Sequence, residues 1–276
     1  GQVDVSAPKK VVAFDVGVID SLDALGVKLA GMPIPSKISP PSLAASQKGA
    51  QDVGTLFDPN LEALSALQPD LIIVAARTAT KHDQLQRLAP TIDLTLNNSN
   101  LYTQSLQRLS DLGQVFGKQK EAQAWASKLN RLRDETRAAA AGQGKVLAIL
   151  VNGPKLSIYG KDSRIGWVEQ TLGLQLIDKA KPVGANHGNP ISFEFIAQAD
   201  PDWIFVIDRA AVVTGQNLQA AQVVLDTPLV KNTKAGKSGR ILYLSPNDIY
   251  INIGGPQALH NTLTQLRDAF KARPVR

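Results

Sequence analysis

Three arginines stand where they could bind an anion. Arg77 lies just beyond the apolar run Leu71-Ile72-Ile73-Val74, and Arg209 ends the run Trp203-Ile204-Phe205-Val206-Ile207-Asp208. Arg164 sits in the polar stretch Tyr159-Gly160-Lys161-Asp162-Ser163-Arg164-Ile165-Gly166, directly before an apolar helical segment. A guanidinium stays charged and offers a planar fork of donors, which suits anionic oxygens. Arginines that cap helices or pair with internal carboxylates would look the same in sequence. His187, in Asn186-His187-Gly188-Asn189-Pro190, and Tyr250, in Ser245-Pro246-Asn247-Asp248-Ile249-Tyr250-Ile251, occupy irregular stretches. Imidazole and phenolate together could ligate a ferric ion, phenolate being a hard anionic donor. An exposed loop histidine and a tyrosine packed on its neighbours are the plainer alternatives. Tyr243 is a weaker candidate, since Ile241-Leu242-Tyr243-Leu244 reads as a buried strand, and His82 and His260 fall in helical patterns.

Other chemistries lack their residues. Cysteine is absent, which removes disulfides, thiolate metal sites and thiol catalysis. Gly236-Lys237-Ser238 resembles the end of a phosphate-binding loop, but Lys231 stands where its opening glycine belongs. Gly142-Gln143-Gly144 has Leu147 in place of the third glycine of a dinucleotide fingerprint. There is no Gly-x-Ser-x-Gly elbow and no His-Glu-x-x-His pair, and three histidines are few for a multi-histidine zinc site. Nothing here supports an enzyme. With 43% hydrophobic and 20% charged residues the chain is not a disordered one. No window approaches the roughly 20 consecutive apolar residues of a membrane-crossing helix. Thirty Lys and Arg against 24 Asp and Glu give a formal charge of +6, which favours anionic partners without choosing among nucleic acid, membrane surface and small molecule.

The elements that must position these residues read as α/β layers, and 276 residues suffice for two modest domains. Val11-Val12-Ala13-Phe14 reads as a buried strand, and residues 20–26 as a capped short helix stopped by Gly26. Asp58-Pro59-Asn60 starts a helix over 61–67, Pro69-Asp70 breaks it, and 71–74 forms a strand apolar on both faces. Residues 80–88 read as helix and 91–96 as a further strand. From 118 to about 141 there is neither proline nor glycine. Ala122, Trp125, Leu129, Leu132 and Ala139 share one face of a helix about 36 Å long. Such a helix would brace two α/β segments, or else lie on the surface of one continuous domain. A strand follows over 146–151.

The second half repeats the first. Residues 61–77 align without gaps on 193–209, with Glu62 matching Glu194, Pro69-Asp70 matching Pro201-Asp202, and Arg77 matching Arg209. Two similar lobes follow, each with an arginine at the C-terminal end of an inner strand, where open α/β sheets bind ligands.

At this point the residues resemble a known family. The stretch Val12-Ala13-Phe14-Asp15-Val16-Gly17-Val18-Ile19-Asp20-Ser21-Leu22-Asp23-Ala24-Leu25-Gly26-Val27 is similar to the opening of bacterial siderophore-binding proteins of ABC importers, the class whose lobes are bridged by one long helix. Residues 54–78, Ser163-Arg164-Ile165-Gly166, 187–209 and 240–254 resemble the branch that binds ferric catecholates, including petrobactin. The resemblance implies two α/β lobes, over 1–117 and 143–276, joined by a connecting helix over 118–142, with the ligand in a shallow cleft between them. It implies that Arg77, Arg164 and Arg209 hold the anionic complex, and that His187 and Tyr250 bind iron when the siderophore supplies only four donors. Glu62 and Glu194 match carboxylates that dock on the inner-membrane permease, although a first-turn glutamate is also favoured by the helix dipole.

A ferric ion carries a net charge of about −1 with two catecholates and about −3 with three, so cationic side chains supply both attraction and selectivity. Two catechols leave two of six coordination sites open, which His187 and Tyr250 could fill. The bridging helix implies small lobe movements. The chain is thus expected to be a monomeric carrier for iron uptake, with no cofactor of its own beyond the Fe(III) in its cargo and no nucleic-acid partner. It is expected in the periplasm or as a membrane-anchored extracytoplasmic lipoprotein, its signal peptide removed. A haem or corrinoid carrier of the same fold, with Tyr250 or His187 as axial ligand, is the alternative, and a metal-dependent hydrolase a more distant one.

Overall fold

The computed structural model describes residues 7–33, 41–178, 189–212 and 220–275. Contacts divide the chain into two compact units. One holds Gly1–Asn97, Leu101–Leu129 and Ile251–Leu259; the other holds Asn98–Asn100, Asn130–Tyr250 and His260–Arg276.

The first unit is built on a parallel sheet of β1 (Val11–Ala13), β2 (Gly31–Met32), β3 (Gln51–Asp52), β4 (Leu71–Val74) and β5 (Thr91–Asp93). Their order is β3-β2-β1-β4-β5. The residues of β1 and β4 are buried on both faces, as a sheet sandwiched by helices requires. Val12, Phe14, Val53, Leu64, Ile72, Val74 and Leu85 form one core cluster. The helix expected over 20–26 begins earlier, at Val16–Ala24, because Asp15 rather than Asp20 caps it, accepting from Val18 N at 3.0 Å. That shift leaves Asp20 inside the helix and buried, free to act on another element. The helix expected over 80–88 is a 3-10 helix, Ala76–Lys81, followed by the single turn His82–Leu85. The strand expected to reach Leu96 stops at Asp93, whose carboxylate turns back on Thr95 N at 2.9 Å.

The second unit carries β6 (Lys145–Asn152), β7 (Lys155–Ile158), β8 (Gln175–Leu176), β9 (Asn189–Pro190), β10 (Trp203–Asp208) and β11 (Ile241–Leu244). The order is β11-β10-β6-β7-β9, with β8 beside the start of β6. β10 is parallel to both its neighbours, while β7 is antiparallel to β6 and β9. Alternate residues of β10 face opposite ways. Ile204 and Val206 join a core with Leu147, Ile149 and Ile196, while Trp203 meets Phe270 edge-on at 5.2 Å between ring centres. Trp203 also satisfies its indole by donating to Gln143 Oε1 at 3.1 Å.

The long helix spans Gln119–Ala140 and ends before Gly142 and Gly144, both at positive φ. Its buried stripe runs through Ala122, Leu129, Leu132, Thr136 and Ala140, the three- and four-residue steps of an amphipathic helix. No described helix is long and apolar enough to cross a membrane.

The internal repeat is structural. Leu61–Leu67 and Phe193–Ala199 are both seven-residue helices, capped by the side chains of Asn60 and Ser192 and ended by left-handed residues, Gln68 and Asp200. Each is followed by a buried strand and then by a 3-10 turn, which carries Arg77 in one unit and starts with Arg209 in the other.

Candidate functional site

Each sheet reverses its direction of growth at one point. In the first unit the chain moves outward from β1 through β2 to β3, then returns to the far side of β1 with β4, so the reversal lies between β1 and β4. In the second it lies between β6 and β10. Loops leaving the C-terminal ends of strands at such a point diverge and leave room for a ligand. Arg77 follows β4 and Arg209 follows β10, so both sit at the reversal of their own sheet. Both are half-buried.

In the second unit the structure brings three of the expected residues together. Tyr250 lies in a π-helical turn, Asn247–Ile251, and is only 4% exposed. Its hydroxyl oxygen accepts a hydrogen bond from Arg209 Nε at 3.0 Å, and its backbone carbonyl accepts one from Arg164 Nη1 at 2.7 Å. The Arg164 guanidinium stacks over the phenol ring at 4.2 Å from its centre, with that of Arg209 at 5.7 Å. Such a cation–π contact is worth roughly 1 kcal/mol, more when shielded from water. Tyr250 therefore gathers two guanidiniums that lie 45 positions apart in sequence. Arg164 gets there because Ser163 and Gly166 close a tight turn before the helix Trp167–Leu172. A Cβ on Gly166 would strike Lys161 O at 1.8 Å.

Arg77 belongs to the first unit, where its turn is fixed by Thr78, whose hydroxyl donates to Leu56 O at 2.6 Å. Glu62 and Glu194 are both exposed, one per unit, in the first turn of the two repeated helices. His187 lies outside the described residues. His82 opens a helical turn, its ring against Asp83 Oδ1 and Thr91 O, and His260 lies inside the C-terminal helix. Tyr243 is on β11, its phenol pushed up by burial and by the nearby Asp226 and Asp208 carboxylates. No group of three or more His, Asp or Glu residues that could hold a metal ion by itself exists among the described residues.

Sequence reasoning passed over a second buried constellation, in the first unit. Asp20 is fully buried, and its carboxylate accepts from Asn252 Nδ2 at 2.7 Å, Gln257 N at 3.2 Å and Ala258 N at 3.1 Å. It thereby caps the C-terminal helix, Pro256–Ala272, from outside. Burial outweighs these bonds and raises its pKa to about 6. Arg108 is buried beside it, donating to Ile253 O at 3.1 Å. Desolvation lowers its pKa, with Asp15 and Asp20 opposing. The available signal was an aspartate at an otherwise apolar position in Val16-Gly17-Val18-Ile19-Asp20-Ser21-Leu22.

Residues 11–247 match the periplasmic binding protein family. The chain belongs to that family. Its members are binding proteins of transporters, not enzymes. Among its relatives is the ferric-anguibactin-binding protein FatB of Vibrio anguillarum, 35% identical over 91% of this chain and 79% of FatB. Another is the petrobactin-binding protein YclQ of Bacillus subtilis, 29% identical over 96% of this chain and 83% of YclQ. The crystal structure of YclQ superposes with a TM-score of 0.87, covering 96% of this chain and 93% of that one. A TroA-like periplasmic binding protein from Xylanimonas cellulosilytica is 35% identical, with a TM-score of 0.88 over 97% of this chain and 90% of its own.

Proposed function

We propose that this family member binds ferric catecholate siderophore complexes, with two or three catechols, and delivers them to an ABC permease for iron uptake. The observation that carries the reading is the paired arginine site of the second unit, where Arg164 and Arg209 converge on Tyr250 at the reversal point of the sheet. Two guanidiniums held by one tyrosine form a cationic group with its geometry set before the ligand arrives, which reduces the ordering cost of binding. At about 4 Å and an effective dielectric near 20, each unit of ligand charge gains on the order of 4 kcal/mol from one guanidinium before desolvation is charged against it. Arg77, at the matching position of the first unit, is the third cation in this reading. The names of FatB and YclQ support a ferric siderophore as cargo.

Tyr250 and His187 complete the iron's coordination when the siderophore offers four oxygens, and Fe(III) is then cargo rather than a resident cofactor. Glu62 and Glu194 dock on the inner-membrane permease, and the protein works as a monomer outside the cytoplasm.

The test is quenching of the intrinsic fluorescence of Trp125, Trp167 and Trp203 by ferric bis- and tris-catecholates. Saturable quenching with a Kd below micromolar is expected. A linear, unsaturable response to both complexes would overturn the reading.

A further inference from the structure

We propose that Thr95, oriented by Asp93, is a positioning residue for Arg77 and so sets how tightly the protein holds its anionic cargo; this rests on the ferric catecholate reading above. The chain leaves β4 through Ala75, which is extended, and then enters Ala76 at φ +47°. That is the left-handed region, which alanine disfavours because its Cβ crowds the backbone, and it lies immediately before Arg77. Something outside the turn must hold it there.

The holding contact is from the next strand. Ala76 N donates to Thr95 Oγ1 at 2.8 Å. The Thr95 hydroxyl proton goes to Asp93 Oδ1 at 2.6 Å, and the same oxygen accepts Thr95 N at 2.9 Å. With its proton committed to the carboxylate, the hydroxyl oxygen turns its lone pairs outward to take the Ala76 amide. Asp93 sits opposite Val74, the last residue of β4, so the strand register brings the pair to the start of the turn. On the other side of Arg77, buried Thr78 is tied to Leu56 O and its amide to Ala75 O. The backbone of Arg77 is thus fixed by anchored neighbours on both sides, and the Arg209 side chain is held by Tyr250.

Thr95 and Asp93 are exposed and add nothing to the apolar core, so a role limited to packing does not account for them. Thr95→Val keeps the shape and removes the hydroxyl. It is expected to weaken binding of a synthetic ferric bis-catecholate roughly fivefold to tenfold, the scale of one lost orienting hydrogen bond, with little change in thermal midpoint. Thr95→Ser, which keeps the hydroxyl, should bind like the parent. In an Arg77→Gln background the Thr95→Val loss should shrink below about twofold, because the two changes remove one interaction. Asp93→Ala, which frees the hydroxyl proton, is the second variant and should mimic Thr95→Val in both backgrounds. Parent-like binding by Thr95→Val and Asp93→Ala would overturn the inference, and so would an equal loss with and without Arg77. If the parent itself shows no saturable binding, the functional reading falls and takes this inference with it. Binding by the parent with no response to Thr95 defeats the inference alone.

Discussion

At the residue scale, Tyr250 has two separable jobs. Its hydroxyl and ring organise Arg209 and Arg164, and in the proposed function its phenolate reaches iron when the siderophore leaves sites open. The two jobs predict different losses. Arg209→Gln removes a cation and should weaken ferric bis- and tris-catecholates alike, by roughly tenfold or more. Tyr250→Phe keeps the ring and the carbonyl that holds Arg164. If the phenolate binds iron, it should weaken the bis-catecholate at least about tenfold and the tris-catecholate less than about threefold. His187→Ala should follow the Tyr250→Phe pattern. Fluorescence titration of each variant against both complexes measures this directly. Equal losses would mean that Tyr250 acts only by holding Arg209. Sequence pointed to these residues individually, by their place at strand ends and in loops. It did not reveal that the phenol binds a guanidinium, because that contact joins loops 41 positions apart that only the sheet brings together.

At the element scale, the arginines could be found because strand, helix and break repeat at fixed spacing, and 71–74 and 203–208 announce themselves by unbroken apolar runs. What failed was local. The helix starts at Val16 and not at Asp20 because both Asp15 and Asp20 can cap, and only tertiary packing decides between them. Leu94-Thr95-Leu96 reads as strand because its residue types suit one, while the turn is made by the Asp93 carboxylate bonding Thr95, a contact the residue types alone do not reveal. Asp20 now carries a pH dependence. Its pKa in the folded protein, about 6, lies above the ordinary aspartate value of 3.8. The folded state therefore holds the proton more tightly than the unfolded chain. Stability from this group is complete below about pH 4 and is lost as pH rises through about 6, amounting to about 3 kcal/mol. Arg108 interacts electrostatically with Asp20, and its positive charge opposes the shift, as do the hydrogen bonds from Asn252, Gln257 and Ala258. Urea unfolding from pH 4 to 7 should show the wild type losing ground to Asp20→Asn as pH rises. A difference that does not vary with pH would mean Asp20 stays ionised throughout.

At the scale of the whole molecule, two units repeat one plan, and each contributes one exposed glutamate and one half-buried arginine at matched positions. The carboxylates and the arginines are then expected to serve different steps. Glu62→Arg and Glu194→Arg should leave the affinity for ferric catecholates within about twofold. Together they should reduce uptake of radioactive iron by at least about tenfold in cells that rely on this binding protein, because reversed charges repel a basic docking surface. Unimpaired uptake by the double variant would remove both glutamates from docking. Whether guanidiniums hold an anionic iron chelate is read directly from a crystal structure of the protein with ferric bis-catecholate, the iron located by its anomalous scattering. The expected result is catecholate oxygens within hydrogen-bonding distance of Arg164 and Arg209, with Arg77 also in contact. An iron centre bound away from all three arginines would contradict it.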